Sequence, residues 1–210
     1  MTTRFILPVL LIATASGTAW ADTSRTYDFS GFDELDISAG VEVEYAAADT
    51  DSVIAEFSLG RPDDLKLRQD GDRLYISRKM KSGWGNKVRA IIRVTSRDLN
   101  EIEASSGSSI QASGIQSEDF SLRVSSGASA DLSGTCEALT VKAGSGGTAD
   151  AQALKCKAVS AAASSGGSVR AYASANASSK TSSGGSVDIW GDPPQRSANH
   201  SISGGSTNFH

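Results

Sequence analysis

The dipeptide Ser-Gly returns at Ser106-Gly107, Ser126-Gly127, Ser145-Gly146, Ser165-Gly166, Ser183-Gly184 and Ser203-Gly204, with glycine spacings of 20, 19, 20, 18 and 20 residues. A disordered Gly/Ser linker has no reason to hold such a register, whereas a solenoid must. The flanking residues repeat as well. Seven, five and three residues before the glycine stand Phe120, Leu122 and Val124, then Leu139, Val141 and Ala143, then Val159, Ala161 and Ala163. Three and five residues after it stand Ile110 and Ala112, Ala130 and Leu132, Ala149 and Ala151, Val169 and Ala171, Val187 and Ile189. The positions between are mostly polar, so each repeat reads as strand, sharp turn, strand, with one inward face. Coils stacked ~4.8 Å apart would place each residue beside its equivalents, as in a parallel β-helix. At the corner a positive φ is cheap for glycine, and serine hydroxyls can satisfy backbone groups freed by the bend.

The chain before residue 101 has another texture. It carries 28 of the 44 charged side chains but only 7 of the 21 glycines. Val41, Val43 and Tyr45 alternate with Glu42 and Glu44, and similar alternation runs through Val53 to Leu59, Leu74 to Ile76 and Val88 to Val94. Period-two alternation marks strands buried on one face, and Asp70-Gly71 between two apolar runs marks a hairpin. The expected organisation is all-β: a β region over 22–100 capping a parallel β-helix over 101–210, the latter of about five coils of 18–20 residues.

Residues 1–21 read as an export signal. Arg4 supplies the positive start, Phe5 to Ala13 the apolar stretch, and Ala19-Trp20-Ala21 a small-x-small cleavage site ahead of Asp22. The apolar stretch is too short to span a bilayer of ~30 Å, and no cysteine stands at the cleavage site to take a lipid anchor. The expectation is an exported chain, periplasmic or at the cell surface, with no transmembrane segment once the signal is gone. A formal charge of −4 argues against a nucleic-acid partner.

Register puts chemistry into columns. Four residues after the glycine, Gln111, Asp131, Asp150, Arg170, Asp188 and Asn208 line up, with Arg170 between two carboxylates as an ion-pair ladder. The neighbouring Asp131 and Asp150 could hold Ca²⁺ or share a proton, or simply punctuate a serine-rich surface and hinder edge pairing. The second reading is favoured, and no metal or cofactor is assigned. A second column, Glu103, Arg123, Lys142, Lys180 and His200, is interrupted at Ala162. It suits either a solvated face or a surface for an acidic sugar or phosphate. Tyr172 and Trp190 stand six residues after their glycines, one coil apart, and Trp84 lies in the glycine-rich loop Ser82 to Asn86. Such rings are candidate platforms for a sugar, ordinary packing against Asp192-Pro193-Pro194 being the alternative for the pair. Cys136 and Cys156 occupy equivalent places on adjacent coils, close enough for a disulfide, with two buried thiols as the alternative. A β-helix also leaves open strand edges, so the C-terminal edge is expected either to associate or to be blunted by its polar residues.

The segment Phe32-Asp33-Glu34-Leu35-Asp36-Ile37-Ser38-Ala39-Gly40-Val41-Glu42-Val43 resembles the opening of the head GIN domain family, a group of auto-transporter adhesin heads with no established activity. The run Val88 to Thr95 followed by Leu99, Ile102, Ala104, Ser106 and Gly107, and the later Ser-Gly-Gly coils, resemble it too. The resemblance spans about residues 27–209. It implies a right-handed β-helix in a secreted or envelope protein of bacteria and brings no catalytic residues. The resulting expectation is a non-catalytic binding or adhesion-like module facing a glycan or an envelope protein. The alternatives are a polysaccharide lyase or hydrolase on the same scaffold, and a purely structural envelope protein.

Overall fold

A computed structural model describes residues 23–79, 88–201 and 203–210. The C-terminal half is a parallel β-solenoid of about five turns. It is built from β9 (Ser109–Val124), β10 (Ser129–Ala143), β11 (Thr148–Ala163), β12 (Ser168–Thr181), β13 (Gly185–Trp190), β14 (Gln195–His200) and β15 (Gly205–Phe209). β9, β10, β11 and β12 pair in sequence, all parallel, and β12 then pairs with both β13 and β14. The register follows the Ser-Gly repeat: Ala130 lies between Ile110 and Ala149, and Leu139 between Phe120 and Val159.

The corners work differently from the sequence expectation. Serine itself takes the left-handed conformation, with φ of 55° at Ser106, 53° at Ser126, 49° at Ser145, 51° at Ser165 and 48° at Ser183, and the following glycine does so too. Two successive positive φ values define a type I′ turn. Its closing bond runs from the N–H of Gly167 to the Ser164 carbonyl at 2.8 Å, and from Gly185 to Ser182 at 2.9 Å. From Gly107 to Gly166 each first glycine also donates to the serine carbonyl of the next corner, as Gly146 does to Ser165 at 3.1 Å, and Gly184 donates to the Gly204 carbonyl at 3.3 Å, so the turns form one hydrogen-bonded spine. The second glycine of Ser-Gly-Gly is there for space. A Cβ on Gly167 would lie 2.5 Å from the Ala143 carbonyl oxygen of the preceding coil, and one on Gly185 2.3 Å from that of Ala163.

The same sheets continue through the N-terminal half. Its strands are β1 (Thr23–Tyr27), β2 (Glu34–Ile37), β3 (Glu42–Ala47), β4 (Ser52–Leu59), β5 (Leu65–Asp70), β6 (Arg73–Arg78), β7 (Arg89–Ser96) and β8 (Glu101–Ala104). β2 and β3 flank a corner at Ala39-Gly40, with φ of 62° and 68°, and pair in parallel with β8 and β9. On their other side they pair in parallel with β6 and β7. β4 and β5 then lie antiparallel to β7 and β6, and β1 antiparallel to β4, so the stack ends with reversed strands. After β3 the chain therefore builds β4 to β7 outward on one side of β2 and β3, then crosses to their other side at β8, where the Asn100 N–H donates to the Asp33 carbonyl at 2.8 Å.

Inward residues are smaller in the middle coils of the solenoid, before Val187 and Ile189 of β13. Leu35, Ile37, Leu74, Ile76, Ile92 and Ile102 fill the N-terminal coils, whereas Ala149, Ala151, Ala161, Ala163, Ala171 and Ala173 line the later ones. No helix among the described residues is long and apolar enough to cross a membrane.

Candidate functional site

Two outward faces meet at the Ser-Gly spine. On the face that follows it, the register places Gln111, Asp131, Asp150, Arg170, Asp188 and Asn208 in one column. Toward the N-terminus the column continues through Glu44 and Arg93. The expected ion-pair ladder is only half formed. Arg170 Nη1 meets Asp150 Oδ2 at 3.3 Å, but Asp188 turns the other way. It accepts from Asn208 Nδ2 at 2.8 Å and lies 3.4 Å from His210 Nε2. An amide donor one rung away offers a bond without the desolvation that a second carboxylate around Arg170 would demand. Exposed Asp131 has no ion pair among the described residues. Beside it, Glu44, Arg93, Gln111 and Ser113 line an open trough of about 570 Å³.

Tyr172 and Trp190 are register partners, one coil apart. Both rings are half-buried and each has one covered side. Lys155 Nζ sits 3.9 Å from the Tyr172 ring centre, and a Cβ on Gly191 would approach that ring to 3.0 Å. The His210 ring stacks on Trp190 at 4.7 Å. His210 thus joins Asp188 and Trp190 in one cluster, which sequence reading missed. Its signal was a 22-residue offset from Asp188, slightly longer than one coil. Trp84 lies outside the described residues.

The face that precedes the spine carries the second column. Here the register runs Asp36, Glu103, Arg123, Lys142, Ala162, Lys180 and Asn199. Asn199, not His200, is the last member. The final coil has one extra residue before its corner, so His200 pairs with Thr181 and its Nδ1 lies 2.8 Å from the Thr181 hydroxyl. At the N-terminal end of this face Arg73 gathers carboxylates: Glu34 at 2.6 Å, Glu101 at 2.8 Å and Glu103 at 3.8 Å. Burial, together with the Glu103 charge, pushes the Asp36 carboxyl above its usual range, against the pull of Arg73 and Arg68.

Cys136 and Cys156 form a disulfide between adjacent coils, with Cα atoms 4.5 Å apart. No group of three or more His, Cys, Asp or Glu able to hold a metal occurs among the described residues.

Residues 31–193 match the family described as "Putative auto-transporter adhesin, head GIN domain". The chain belongs to this family. Two solved structures share the head GIN fold with it. A "putative adhesin" from Bacteroides fragilis superposes with a TM-score of 0.69 at 19% identity, covering 89% of this chain and 95% of that one. A "putative adhesin" from Parabacteroides merdae gives 0.53 at 12% identity, covering 90% and 95%. No curated protein sequence matches the chain. The head GIN match begins just before β2 and ends after β13, so it takes in both outward faces. The family to which the chain belongs is named for adhesion, and in that coarse sense the domain is an adhesion-like module.

Proposed function

We propose that this head GIN domain is exported behind a signal peptide cleaved after Ala21 and works as a non-catalytic binding module for a glycan of the cell envelope or of a neighbouring surface. The observation that carries this reading is the register itself. Side chains one coil apart recur at the strand spacing of ~4.8 Å, a rigid repeat suited to a repetitive polymer. Binding needs only such a periodic surface, whereas a lyase or hydrolase needs acid, base and cation converging on one bond. Here the charged groups of the Asp131 column are spread over rungs and turned to different neighbours, Asp150 to Arg170 and Asp188 to Asn208. On this face Asp131, Asp150, Arg170 and Asp188 are the proposed polar contacts, and Tyr172 and Trp190 the proposed stacking edge, with Trp84 a further candidate.

The test is a glycan array probed with the folded mature chain, with product release assayed on every hit. Saturable binding without turnover, weakened roughly tenfold by Trp190→Ala, is expected for one lost stacking contact. Turnover abolished by Asp150→Ala or Asp188→Ala would replace this reading by a polysaccharide-active enzyme.

A further inference from the structure

The face that precedes the spine changes charge along the solenoid. Its N-terminal half is dominated by carboxylates, with Arg73 held among Glu34, Glu101 and Glu103. Beyond β8 the sign reverses. The column Arg123, Lys142, Ala162, Lys180, Asn199 holds three cations and no carboxylate. The adjoining column is Ser121, Thr140, Ser160, Ser178 and Ser197, a hydroxyl on every rung. This surplus is local, because the whole chain carries a formal charge of −4. Arg123 is partly neutralised by Glu101 at 3.0 Å. Lys142 and Lys180 are exposed and have no carboxylate partner among the described residues.

Between the two lysines stands Ala162, whose side chain stops at Cβ. The gap forms part of a notch of about 420 Å³ that runs from Glu103 and Arg123 past Lys142 to Lys180, with Ser164 and Ser182 on its rim; Glu103, at the far end, faces Arg73 at 3.8 Å. A parallel trough of about 490 Å³ follows the hydroxyl column past Thr140, Ser160 and Ser178. Both are open grooves on one face rather than closed pockets. The lysines are two rungs apart, ~9.6 Å along the axis.

We propose that this half-face binds a linear polyanionic glycan laid along the solenoid axis, with a carboxylate of the polymer seated in the Ala162 notch between Lys142 and Lys180. An ammonium group is a point charge with three donors, able to follow a carboxylate that is not held in a rigid fork. The hydroxyl column offers an acceptor to the sugar hydroxyls on every rung and donors on its other rungs, Ser178 Oγ being turned to the Val159 carbonyl at 3.5 Å. The open ends of the grooves admit a chain and would not enclose a small anion. Nucleic acid, the other common linear polyanion, is served by aromatic stacking platforms, and these columns contain no aromatic residue beyond β8. The inference rests on the reading of the domain as a glycan-binding module and adds the ligand's charge and its place.

The experiment measures binding of the full mature chain to polygalacturonate, to the same polymer fully methyl-esterified, and to single-stranded DNA, by calorimetry at two salt concentrations. The expected result is binding to polygalacturonate that weakens with salt, falls about tenfold for Lys142→Gln and again for Lys180→Gln, and persists in Lys157→Gln, an exposed lysine elsewhere on the solenoid. Equal binding of the esterified polymer, or indifference to both lysines, overturns this inference while leaving the glycan-binding module intact. Tighter binding of DNA overturns the choice of ligand. Failure of every polysaccharide, here and on the array, overturns the module as well.

Discussion

The Ser-Gly-Gly corner makes a prediction that separates two glycines standing side by side. At Gly166 φ is 73° and a Cβ would meet nothing within 4 Å, so alanine is opposed by conformation alone. That strain costs ~1 kcal/mol, and part of it is returned by the lower entropy of the unfolded chain. At Gly167 conformation is no obstacle, but a Cβ would lie 2.5 Å from Ala143 O, 2.6 Å from Ala143 C and 2.8 Å from Gly144 N. All three are backbone atoms of the neighbouring coil and cannot swing aside. Relieving the clash means prising the coils apart at the corner, where Ser164 N–H donates to Ala143 O at 3.0 Å and Ser168 N–H to Gly147 O at 2.9 Å. Overpacking of ~1–3 kcal/mol plus one weakened backbone bond of ~1 kcal/mol gives a loss of about 3 kcal/mol for Gly167→Ala. For a chain of this size that lowers Tm by roughly 6–12 °C. Thermal unfolding of the two variants, followed by circular dichroism, checks the ordering. If Gly166→Ala unfolds at the lower temperature, or Gly167→Ala matches the parent, the reasoning from coil contact is wrong.

Three other outcomes follow from the same structure. Reducing the disulfide, or replacing Cys136 and Cys156 by alanine, should cost ~3 kcal/mol for a loop of about 20 residues, read from urea midpoints with and without reductant. Arg73→Ala leaves Glu34, Glu101 and Glu103 facing one another and should destabilise by about 2 kcal/mol, because the Arg73 side chain is only 27% exposed. Asp36→Asn should stabilise the fold at neutral pH. The Asp36 carboxyl titrates higher folded than unfolded, so the folded state holds its proton more tightly and stability falls as pH rises through that window; the advantage of asparagine should shrink toward zero below the ordinary carboxylate range, as Tm measured against pH would show.

Much of the solenoid is written in the sequence because its geometry repeats. Once Gly127 and Gly146 are superposed, Asp131 must fall beside Asp150, and once Gly146 and Gly166 are superposed, Cys136 must fall beside Cys156; the register does both, with an irregularity between Asp131 and Ser133 that absorbs the difference in repeat length. The column memberships could be read for the same reason, as far as the repeat length holds. At the last coil one extra residue shifts His200 off the column and onto Thr181, a change that counting back from Gly204 cannot detect. Side-chain choice was less legible. Sequence spacing places Arg170 between Asp150 and Asp188, but competition from Asn208 and His210 decides which carboxylate it meets. At the corner the glycines take the expected positive φ, but nothing in the spacing says that the serine before each takes it as well. The path of the N-terminal half was hidden for another reason. Alternation identifies β3, β4, β6 and β7 as strands, yet nothing local says that β6 and β7 stack outside β2 and β3, or that β8 returns beside β2.

The small inward residues of the middle coils and the position of the disulfide are connected. Hydrophobic stabilisation scales with apolar area removed from water at ~25 cal/mol per Å², so a coil lined by alanine gains less than one lined by isoleucine and leucine. β11 and β12 present Ala149, Ala151, Ala161, Ala163, Ala171 and Ala173 to the interior beside only Leu154, Val159 and Val169 as larger aliphatic residues, so the coils they build gain less than those of β2, β6 and β8. In a solenoid each coil is held only by its neighbours, so a weak interface is not rescued from a distance. The Cys136–Cys156 bond joins β10 to β11, where the interior turns to alanine. At the corners the backbones of successive coils come into the close contact that Gly147, Gly167 and Gly185 permit. Hydrogen-bonded spine, close backbone contact and disulfide together hold coils that their cores hold weakly. None of the three uses an exposed side chain, and so the columns bearing Lys142, Lys180, Asp150 and Asp188 can vary in chemistry at little cost to the fold.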